Sequence, residues 1–322
     1  MNSGTPLVTI GIPNYNYAHY IEEALNSAAS QTYPNIEMII VDDCSTDNSV
    51  AVIENWIENY SGNISLNFIK NQANSGLTKN CNRILNKAKG EYLQILDADD
   101  IFLPENISNK IQVINETGND TTSLVYSNMK LINSYGEIIN DNYLKRIGYD
   151  EKLMPEGNVF QELFDFNFIA YPLINTRLAK EVGGFDETQQ VHDYYLWLKL
   201  AEKYDVKFCP GKNALYRIHN ASMSNNSKTS PISIENVLTT KYRYLKQANS
   251  EMKKIIKRDI YNSVTTLYKN NIKSSGVWLR RNLFFNPGLK SFGYYIAFNL
   301  GIPFSLFVSI KKLTGVNKAN TN

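Results

Sequence analysis

The stretch that decides the fold runs from residue 7 to residue 43 and reads LVTIGIPNYNYAHYIEEALNSAASQTYPNIEMIIVDD. It begins and ends with short apolar runs, residues 7–12 and 36–41, which are typical of strands buried on both faces of a sheet. Between these runs, apolar residues recur at helical spacing over residues 21–28. Strand, helix and strand in this order predict two parallel strands joined by a covering helix.

The same alternation continues along the chain. Apolar runs at 64–69 and 92–96 predict two more strands, and helical spacing predicts helices at 47–60 and 76–88. The fold class is therefore α/β, with a Rossmann-like mixed, mainly parallel sheet flanked by helices. Ligands bind such sheets at the carboxyl ends of the strands.

The pattern loosens after residue 100. Residues 123–139 predict a strand and a hairpin with a turn near Gly136, and residues 160–175 predict a helix that runs into a strand. Residues 181–204 predict a Gly-Gly turn followed by a helix. The second half of the sheet is expected to come from these segments.

Composition is that of an ordinary globular protein of 322 residues, with 43% apolar and 20% charged residues. Its three cysteines are far apart and have no CxxC spacing, which argues against a disulfide framework or a zinc site and favours a reducing cytosol. The first ten residues do not have the pattern of a signal peptide.

Charge is distributed unevenly. Residues 1–240 carry 18 Lys and Arg against 29 Asp and Glu, whereas residues 241–322 carry 15 against 2. We expect an acidic domain over residues 1–230 and a basic, helical C-terminal region over residues 231–322.

Polar residues follow the predicted strands where each one ends. Residues 13–16 follow the first strand, Asp42 and Asp43 the second, and residues 97–100 the fourth, so we expect them at one edge of the sheet. Three carboxylates within residues 97–100 repel one another unless they are paired or bind a metal ion. The alternative interpretation is that Asp42, Asp43 and Asp47 only form turns and helix caps.

Four segments resemble, in order and spacing, the family-two inverting glycosyltransferases with a GT-A fold, of the bacterial surface-polysaccharide type. They are TIGIPNYNYAHYIEEALNSAASQTYPNIEMIIVDDCSTDNSV (9–50), LDADDIFLP (96–104), VGGFDETQQVHDYYLWLKLA (182–201) and YRIHNASMSNN (216–226). The resemblance implies transfer of one sugar from a nucleotide-diphospho-sugar, UDP- or dTDP-linked, to a hydroxyl of a glycan or lipid-linked acceptor.

The resemblance also implies a metal site. It identifies Asp97–Ala98–Asp99 as the DxD-type motif, with Asp99 and Asp97 as metal ligands and His219 completing the set. Mn²⁺ or Mg²⁺ suits oxygen ligands and a diphosphate. Asp97 and Asp100 are also expected to reach ribose, metal-bound water or the donor sugar.

Donor-binding residues follow from the same resemblance. It implies that Asp43 accepts the N3–H of uracil or thymine and that Tyr15 stacks on this base. Many relatives carry an arginine where this chain has Cys81, so the phosphate contact stays open, with Lys79 as a candidate. The implied donor site also includes Pro13, Asn74, Gly76, Asn82 and Ala98.

Asp193 matches the catalytic base of the family. Inversion needs one in-line attack in which a base removes the proton of the acceptor hydroxyl. Many relatives have Glu-Asp at this point, whereas this chain has His192–Asp193, and the role of His192 stays open. The alternative for Asp193 is a simple helix cap.

The basic C-terminal region contains an aromatic-rich apolar stretch at residues 291–310, which is interrupted by Asn299, Gly301 and Pro303. It is too short and too broken for a membrane span. We expect an interfacial helix that holds the protein on the cytoplasmic face of the membrane, near a lipid-linked acceptor. Packing on the catalytic domain and a dimer contact are the alternatives, and no nucleic-acid motif is present.

Other protein classes fit the sequence less well. A receiver domain also has acidic residues after a strand, but such domains are shorter. A nucleotidyltransferase or an inactive sugar-nucleotide-binding protein remains the alternative function. No QxxRW segment of a processive synthase is present in the sequence.

Overall fold

The computed structural model describes residues 5–117, 121–189, 193–219, 231–270, 272 and 274–313. The chain divides into two compact units, Met1–Ser222 and Met223–Asn322. The domain boundary expected after residue 230 borders residues 220–230, which lie outside the described residues, so that boundary stays a prediction.

Strands and helices alternate in the first unit as the sequence predicts. The strands are β1 Val8–Asn14, β2 Ile36–Asp42, β3 Ser65–Lys70, β4 Tyr92–Ile95, β5 Ile101–Phe102, β6 Thr122–Ile132, β7 Ile138–Asn140, β8 Leu173–Asn175 and β9 Asp205–Arg217. The helices are α1 Ile21–Ala29, α2 Ser49–Asn59, α3 Leu77–Lys87, α4 Asn106–Thr117, α5 Tyr143–Arg146, α6 Phe160–Asp165, α7 Thr176–Glu181 and α8 Tyr194–Ala201, with a 3₁₀ turn at Glu151–Leu153.

One mixed sheet organises this unit. Its order within the described residues is β3-β2-β1-β4-β8-β6-β9-β5, with β7 paired to β6. The strands β1, β2, β3 and β4 run parallel, whereas β8 is antiparallel to both β4 and β6. The expected α/β class with a mixed sheet flanked by helices is confirmed, but antiparallel pairs are as frequent as parallel ones among the described strands, so the sheet is not mainly parallel.

The register brings the predicted strand ends together. Asn14 at the end of β1 lies opposite Asp42 at the end of β2, and Gly11 lies opposite Ile95 at the end of β4. The segments that follow β1, β2 and β4 therefore leave the sheet at the same edge.

Burial follows the predicted pattern in β1 and β2 but not in β3. Every residue of β1 and β2 is buried, because helices cover both faces of these strands. The strand β3 alternates exposed and half-buried residues instead, since it lies at the edge of the sheet. The expectation that all four strands are buried on both faces is wrong for β3.

The second unit is helical. Its helices are α9 Pro231–Arg243, α10 Ser250–Lys269, α11 Ser275–Phe285, α12 Leu289–Asn299 and α13 Phe304–Leu313, with a 3₁₀ turn at Tyr244–Lys246. Between α12 and α13, Gly301 adopts a φ of 68°, a left-handed conformation that favours glycine. None of the helices in the described part of the chain has the length and apolar content needed to cross a membrane.

Candidate active site

The loops after β1 and β2 are held together by the side chains of Asp42 and Asp47. Asp42 accepts hydrogen bonds from Asn14 Nδ2 at 2.8 Å and from the Ser45 amide at 2.9 Å. Asp47 accepts from the Ala18 amide at 3.0 Å. Both carboxylates therefore bond to protein groups of the two loops, in agreement with the turn interpretation of these two residues.

Asp43 is enclosed by the loop that follows β3. Its Oδ1 accepts from Asn71 Nδ2 and the Ser75 amide, each at 2.8 Å, and its Oδ2 accepts from the Gly76 amide at 2.7 Å. Burial opposes ionisation of Asp43, but these hydrogen bonds outweigh it and hold the pKa below its usual value. The carboxylate is ionised and fixed in place at the edge of the sheet.

Gly76 has a backbone conformation that favours glycine. Its φ is 89° and its ψ is 154°, a region that other residues enter only under strain. This conformation lets the Gly76 amide point at Asp43. The role of Gly76 in the structure is therefore to shape the loop around Asp43.

The other residues predicted to bind the donor differ in their exposure and in their contacts. The Tyr15 ring, directly after β1, is 43% exposed, and the side chains of Asn74 and Lys79 are exposed while Pro13 is buried in β1. By contrast, Asn82 does not point to the Asp43 loop. Its amide bonds to the backbone of Phe185 through both N–H and C=O at 2.9–3.0 Å.

In the acidic segment, which we define as residues 97–100, Asp99 contacts His219. The distance from Asp99 Oδ2 to His219 Nε2 is 2.9 Å, and both side chains are nearly buried. The Tyr17 hydroxyl also bonds to Asp99, and burial together with the nearby carboxylates raises the pKa of Tyr17. The His219 ring lies 5.0 Å from the Tyr20 ring, measured between centroids.

Asp100 differs from Asp97 and Asp99 in its burial and its hydrogen bonds. It is 1% exposed, its Oδ1 accepts from the Arg217 amide at 2.6 Å, and its Oδ2 accepts from the Tyr171 hydroxyl. Burial raises its pKa well above the usual range, and the charges of Asp99 and Asp97 raise it further. Protein groups bond to both oxygens, and the expected contact of Asp100 with the donor stays a prediction.

Arg217 is a residue in contact with the acidic segment that the sequence reasoning missed. Its guanidinium is 1% exposed, donates to the Asp99 backbone carbonyl at 2.7 Å and pairs with Glu23 at 2.6 Å. Arg217 lies at the end of β9, more than a hundred positions along the chain from Asp99. Its hydrogen bond therefore fixes the turn that carries Asp99. The only sequence signal was its position two residues before His219.

A cavity of about 200 Å³ lies between the first aspartate of the motif and the start of α8. Asp97 and Asp193 both line it, together with aromatic side chains that include Tyr143 and Trp197. Burial raises the pKa of the Cys81 thiol, and the charges of Asp97 and Asp193 raise it further. Cys81 therefore lies near both carboxylates.

Asp193 is the N-cap residue of α8. Its Oδ1 accepts the Tyr194 amide N–H at 2.6 Å, which places the carboxylate at the positive end of the helix. His192 lies outside the described residues. The cap interpretation and the base interpretation are compatible, since the same carboxylate also borders the cavity.

The chemistry of the acidic segment fits a divalent cation that is shared with a substrate. Asp99 and His219 supply one carboxylate and one imidazole. No group of three or more His, Cys, Asp or Glu side chains in the described ranges could hold a metal ion by itself. Mg²⁺ and Mn²⁺ bound with nucleotides commonly take one or two protein carboxylates and complete their shell with phosphate and water oxygens.

Comparison with known sequences gives the family. The model of Glycosyl transferase family 2 matches residues 9–154. An uncharacterised glycosyltransferase of Rickettsia typhi is 32% identical over 228 residues, which cover 70% of this chain and 68% of the relative. The putative teichuronic acid biosynthesis glycosyltransferase TuaG of Bacillus subtilis is 28% identical over 240 residues, covering 70% and 84%.

Comparison with solved structures gives the fold. The S. aureus TarS 1–349 structure in complex with UDP-GlcNAc has a TM-score of 0.56 and 18% identity, and the match covers 90% of this chain and 78% of that one. The Pyrobaculum calidifontis mannosyltransferase PcManGT, in complex with GDP-Man and Mn²⁺, has a TM-score of 0.60 and 17% identity, covering 97% and 88%. The chain therefore belongs to glycosyltransferase family 2 and has the GT-A fold.

Proposed function

We propose that this protein is a metal-dependent, inverting glycosyltransferase that moves one sugar from a UDP- or dTDP-sugar to a hydroxyl of a glycan or lipid-linked acceptor. The setting would be cell-surface polysaccharide synthesis, and the relative TuaG is named a putative teichuronic acid biosynthesis glycosyltransferase. The observation that carries the proposal is that Asp97 and Asp193 line one cavity. A general base and a leaving-group site must lie on opposite sides of the sugar for in-line attack.

Asp193 would act as the base. Its Oδ1 already accepts the Tyr194 amide N–H, which orients the carboxylate, and Oδ2 is the atom that we assign to the proton of the acceptor hydroxyl. The cavity walls that include Tyr143 and Trp197 would exclude water, since hydrolysis of the donor would compete with transfer.

Asp99, Asp97 and His219 would hold Mn²⁺ or Mg²⁺. When bound, the ion neutralises the negative charge that develops on the diphosphate leaving group. Arg217 would keep Asp99 in position through its bond to the Asp99 carbonyl. The Tyr17 hydroxyl would orient the Asp99 carboxylate through its own hydrogen bond to that side chain.

The nucleotide base would bind at Asp43 and Tyr15. The fixed Asp43 carboxylate, with a lone pair left on Oδ2 beside the Gly76 amide, suits the N3–H of uracil or thymine. The half-exposed Tyr15 ring offers a face for stacking. Lys79, exposed on α3, would approach the phosphates.

A donor panel tests this function. We expect Mn²⁺-stimulated hydrolysis of UDP- or dTDP-sugars by the full chain, measured as release of the nucleoside diphosphate, and at least about tenfold less release from GDP-sugars. Preference for a GDP-sugar would contradict the assignment of Asp43. Binding of UDP-sugars without turnover would favour the alternative, an inactive sugar-nucleotide-binding protein, and release of pyrophosphate would favour a nucleotidyltransferase.

The second unit would hold the protein on the cytoplasmic face of an anionic membrane. Along α12, Leu289, Phe292 and Ile296 are 87%, 52% and 39% exposed, and Leu300 beyond its end is 70% exposed. Their spacing of three or four residues places them on one helix face. The basic charge of residues 241–322 complements anionic headgroups.

Vesicle flotation tests the membrane proposal. Full-length protein should float with vesicles of phosphatidylglycerol and phosphatidylcholine, and the double variant Leu289→Glu/Phe292→Glu should reduce the bound fraction about tenfold or more. The matched control is Leu153→Glu in the first unit, where the side chain is 78% exposed and should not matter. Equal flotation of the double variant would favour a dimer contact, which sedimentation velocity would then detect.

A further inference from the structure

We propose that Lys110, a buried lysine of α4, is a positioning residue for the transfer reaction. It holds Tyr171 in the backbone conformation in which the Tyr171 hydroxyl bonds to the acidic segment. This inference rests on the proposed transferase function and adds a residue that acts on the metal site through another side chain. It depends on the burial of Lys110, on its hydrogen bonds and on the conformation of Tyr171.

The position of Lys110 is unusual for a lysine. The residue is 0% exposed, and its Nζ donates to two uncharged oxygens, each at 2.6 Å, rather than to a carboxylate. Burial of an ammonium group costs free energy, and it lowers the pKa of Lys110 to about 7. An apolar side chain would fill this place at lower cost, so the amine serves a purpose other than filling the core.

Lys110 belongs to a polar cluster of three fully buried side chains, the others being Gln94 of β4 and Asn106 of α4. The Lys110 Nζ donates to Asn106 Oδ1, and Asn106 Nδ2 donates to Gln94 Oε1 at 3.1 Å. Two members of the cluster also bond to one backbone atom. Lys110 Nζ and Gln94 Nε2 donate to the Tyr171 carbonyl at 2.6 Å and 2.8 Å.

Tyr171 needs these hydrogen bonds because its backbone is strained. Its φ is 43°, which lies in the left-handed region that bulky residues rarely adopt. It also precedes Pro172, and a residue before proline prefers an extended conformation. Such a conformation persists only where surrounding contacts hold it. The two donors at the Tyr171 carbonyl supply that hold from inside the core.

The side chain of Tyr171 reaches the acidic segment. Its hydroxyl donates to Asp100 Oδ2, and the Asp100 amide closes a turn by donating to the Asp97 carbonyl at 3.0 Å. This turn carries Asp97 and Asp99, the two carboxylates proposed to hold the metal ion. If the Tyr171 backbone relaxed, its hydroxyl would leave Asp100 and the turn would lose one of its supports.

The variant Lys110→Met tests the proposal, since it removes the amine and keeps an unbranched side chain. We expect the dissociation constant of Mn²⁺ in the presence of UDP to rise about 3- to 10-fold, the effect of one hydrogen bond. Electron paramagnetic resonance on the full chain measures it. The rate of UDP-sugar hydrolysis at saturating Mn²⁺ should stay within about twofold of wild type.

The melting temperature separates positioning from a purely structural role. Lys110→Met should leave it unchanged or raise it, because an apolar group replaces a buried amine. A structural role predicts a lower melting temperature with unaltered Mn²⁺ affinity. The matched control is Lys87→Met, which changes an exposed lysine of α3 and should affect neither quantity.

A double-mutant cycle shows whether Lys110 acts through Tyr171. Tyr171→Phe removes only the hydroxyl and should weaken Mn²⁺ binding about 3- to 10-fold. The double variant Lys110→Met/Tyr171→Phe should then bind Mn²⁺ within about twofold of Tyr171→Phe alone, because the contact that Lys110 supports is already gone. Independent effects would multiply to about 10- to 100-fold.

Gln94→Met provides a second route to the same contact if Lys110→Met gives no folded protein. It removes the other donor to the Tyr171 carbonyl and should weaken Mn²⁺ binding in the same direction. Failure of both variants to fold would identify the cluster as a requirement of folding and would overturn the positioning role.

Two further results would overturn the inference while the transferase function stands. One is unaltered Mn²⁺ affinity in folded Lys110→Met, and the other is multiplication of the two effects in the cycle. The wild-type protein in the same assays keeps these results distinct from failure of the function. If wild type neither binds Mn²⁺ with UDP nor hydrolyses a donor, the proposed function is wrong and the inference falls with it.

Discussion

Replacing Asp193 with Asn is expected to lower kcat for sugar transfer by about 10²–10⁴-fold, the range that a positioned general base contributes. Asparagine keeps the shape of the side chain, and its carbonyl oxygen can still accept the Tyr194 amide N–H at the start of α8. It cannot take up the proton of the acceptor hydroxyl. The measurement is steady-state transfer with saturating donor and acceptor, and KM for the donor should change little.

The matched control for this variant is Asp150→Asn. Asp150 is also an N-cap aspartate, since its side chain accepts the Lys152 amide N–H at 3.0 Å, but it precedes a different turn. Its loss should leave kcat unchanged. If Asp193→Asn keeps roughly a tenth or more of wild-type kcat with an unaltered melting temperature, Asp193 is a structural cap and the base lies elsewhere.

Replacing Asp99 with Ala is expected to abolish Mn²⁺ stimulation and to lower transfer by about 10³-fold, because several kcal/mol of charge stabilisation at the leaving group would be lost. The variant should also lose UDP-dependent Mn²⁺ binding, which electron paramagnetic resonance measures directly. His219 would lose its 2.9 Å partner, and only Asp97 and His219 would remain of the proposed ligands.

The control for Asp99 is Asp141→Ala, which removes an exposed aspartate of the same unit. It should leave Mn²⁺ binding and transfer as they are in the wild type. Undiminished Mn²⁺ binding in the presence of UDP after Asp99→Ala would show that the ion, if it binds, uses other ligands. The proposal that Asp99 holds the metal ion would then be wrong.

Local patterns in the sequence were sufficient for most of the elements. The apolar runs gave β1, β2, β3 and β4 within one or two residues of their observed ends, because fully buried strands need continuous apolar sequence. The edge position of β3 was missed, since a run of apolar residues does not say which strand has a neighbour on only one side.

The candidate site was only partly predictable. The sequence placed Asp43, Asp99 and His219 among the candidates, and the structure brings Asp99 and His219 into direct contact. The sequence could not show which carboxylates already accept hydrogen bonds from other groups of the protein. Asp100 accepts from Arg217 and Tyr171, and these partners come from β9 and from the segment before β8.

The sequence by itself determined the order of strands and helices and the polar residues at the strand ends. Burial and chain reversal each leave a pattern within a short segment, and this is why these features could be predicted. The tertiary structure alone decided which side chains share one space. Asp97 and Asp193 border one cavity, and Arg217 bonds to the turn that carries Asp99. Contacts between segments so distant in the chain depend on how the sheet folds them together, and no spacing within a single segment records that arrangement.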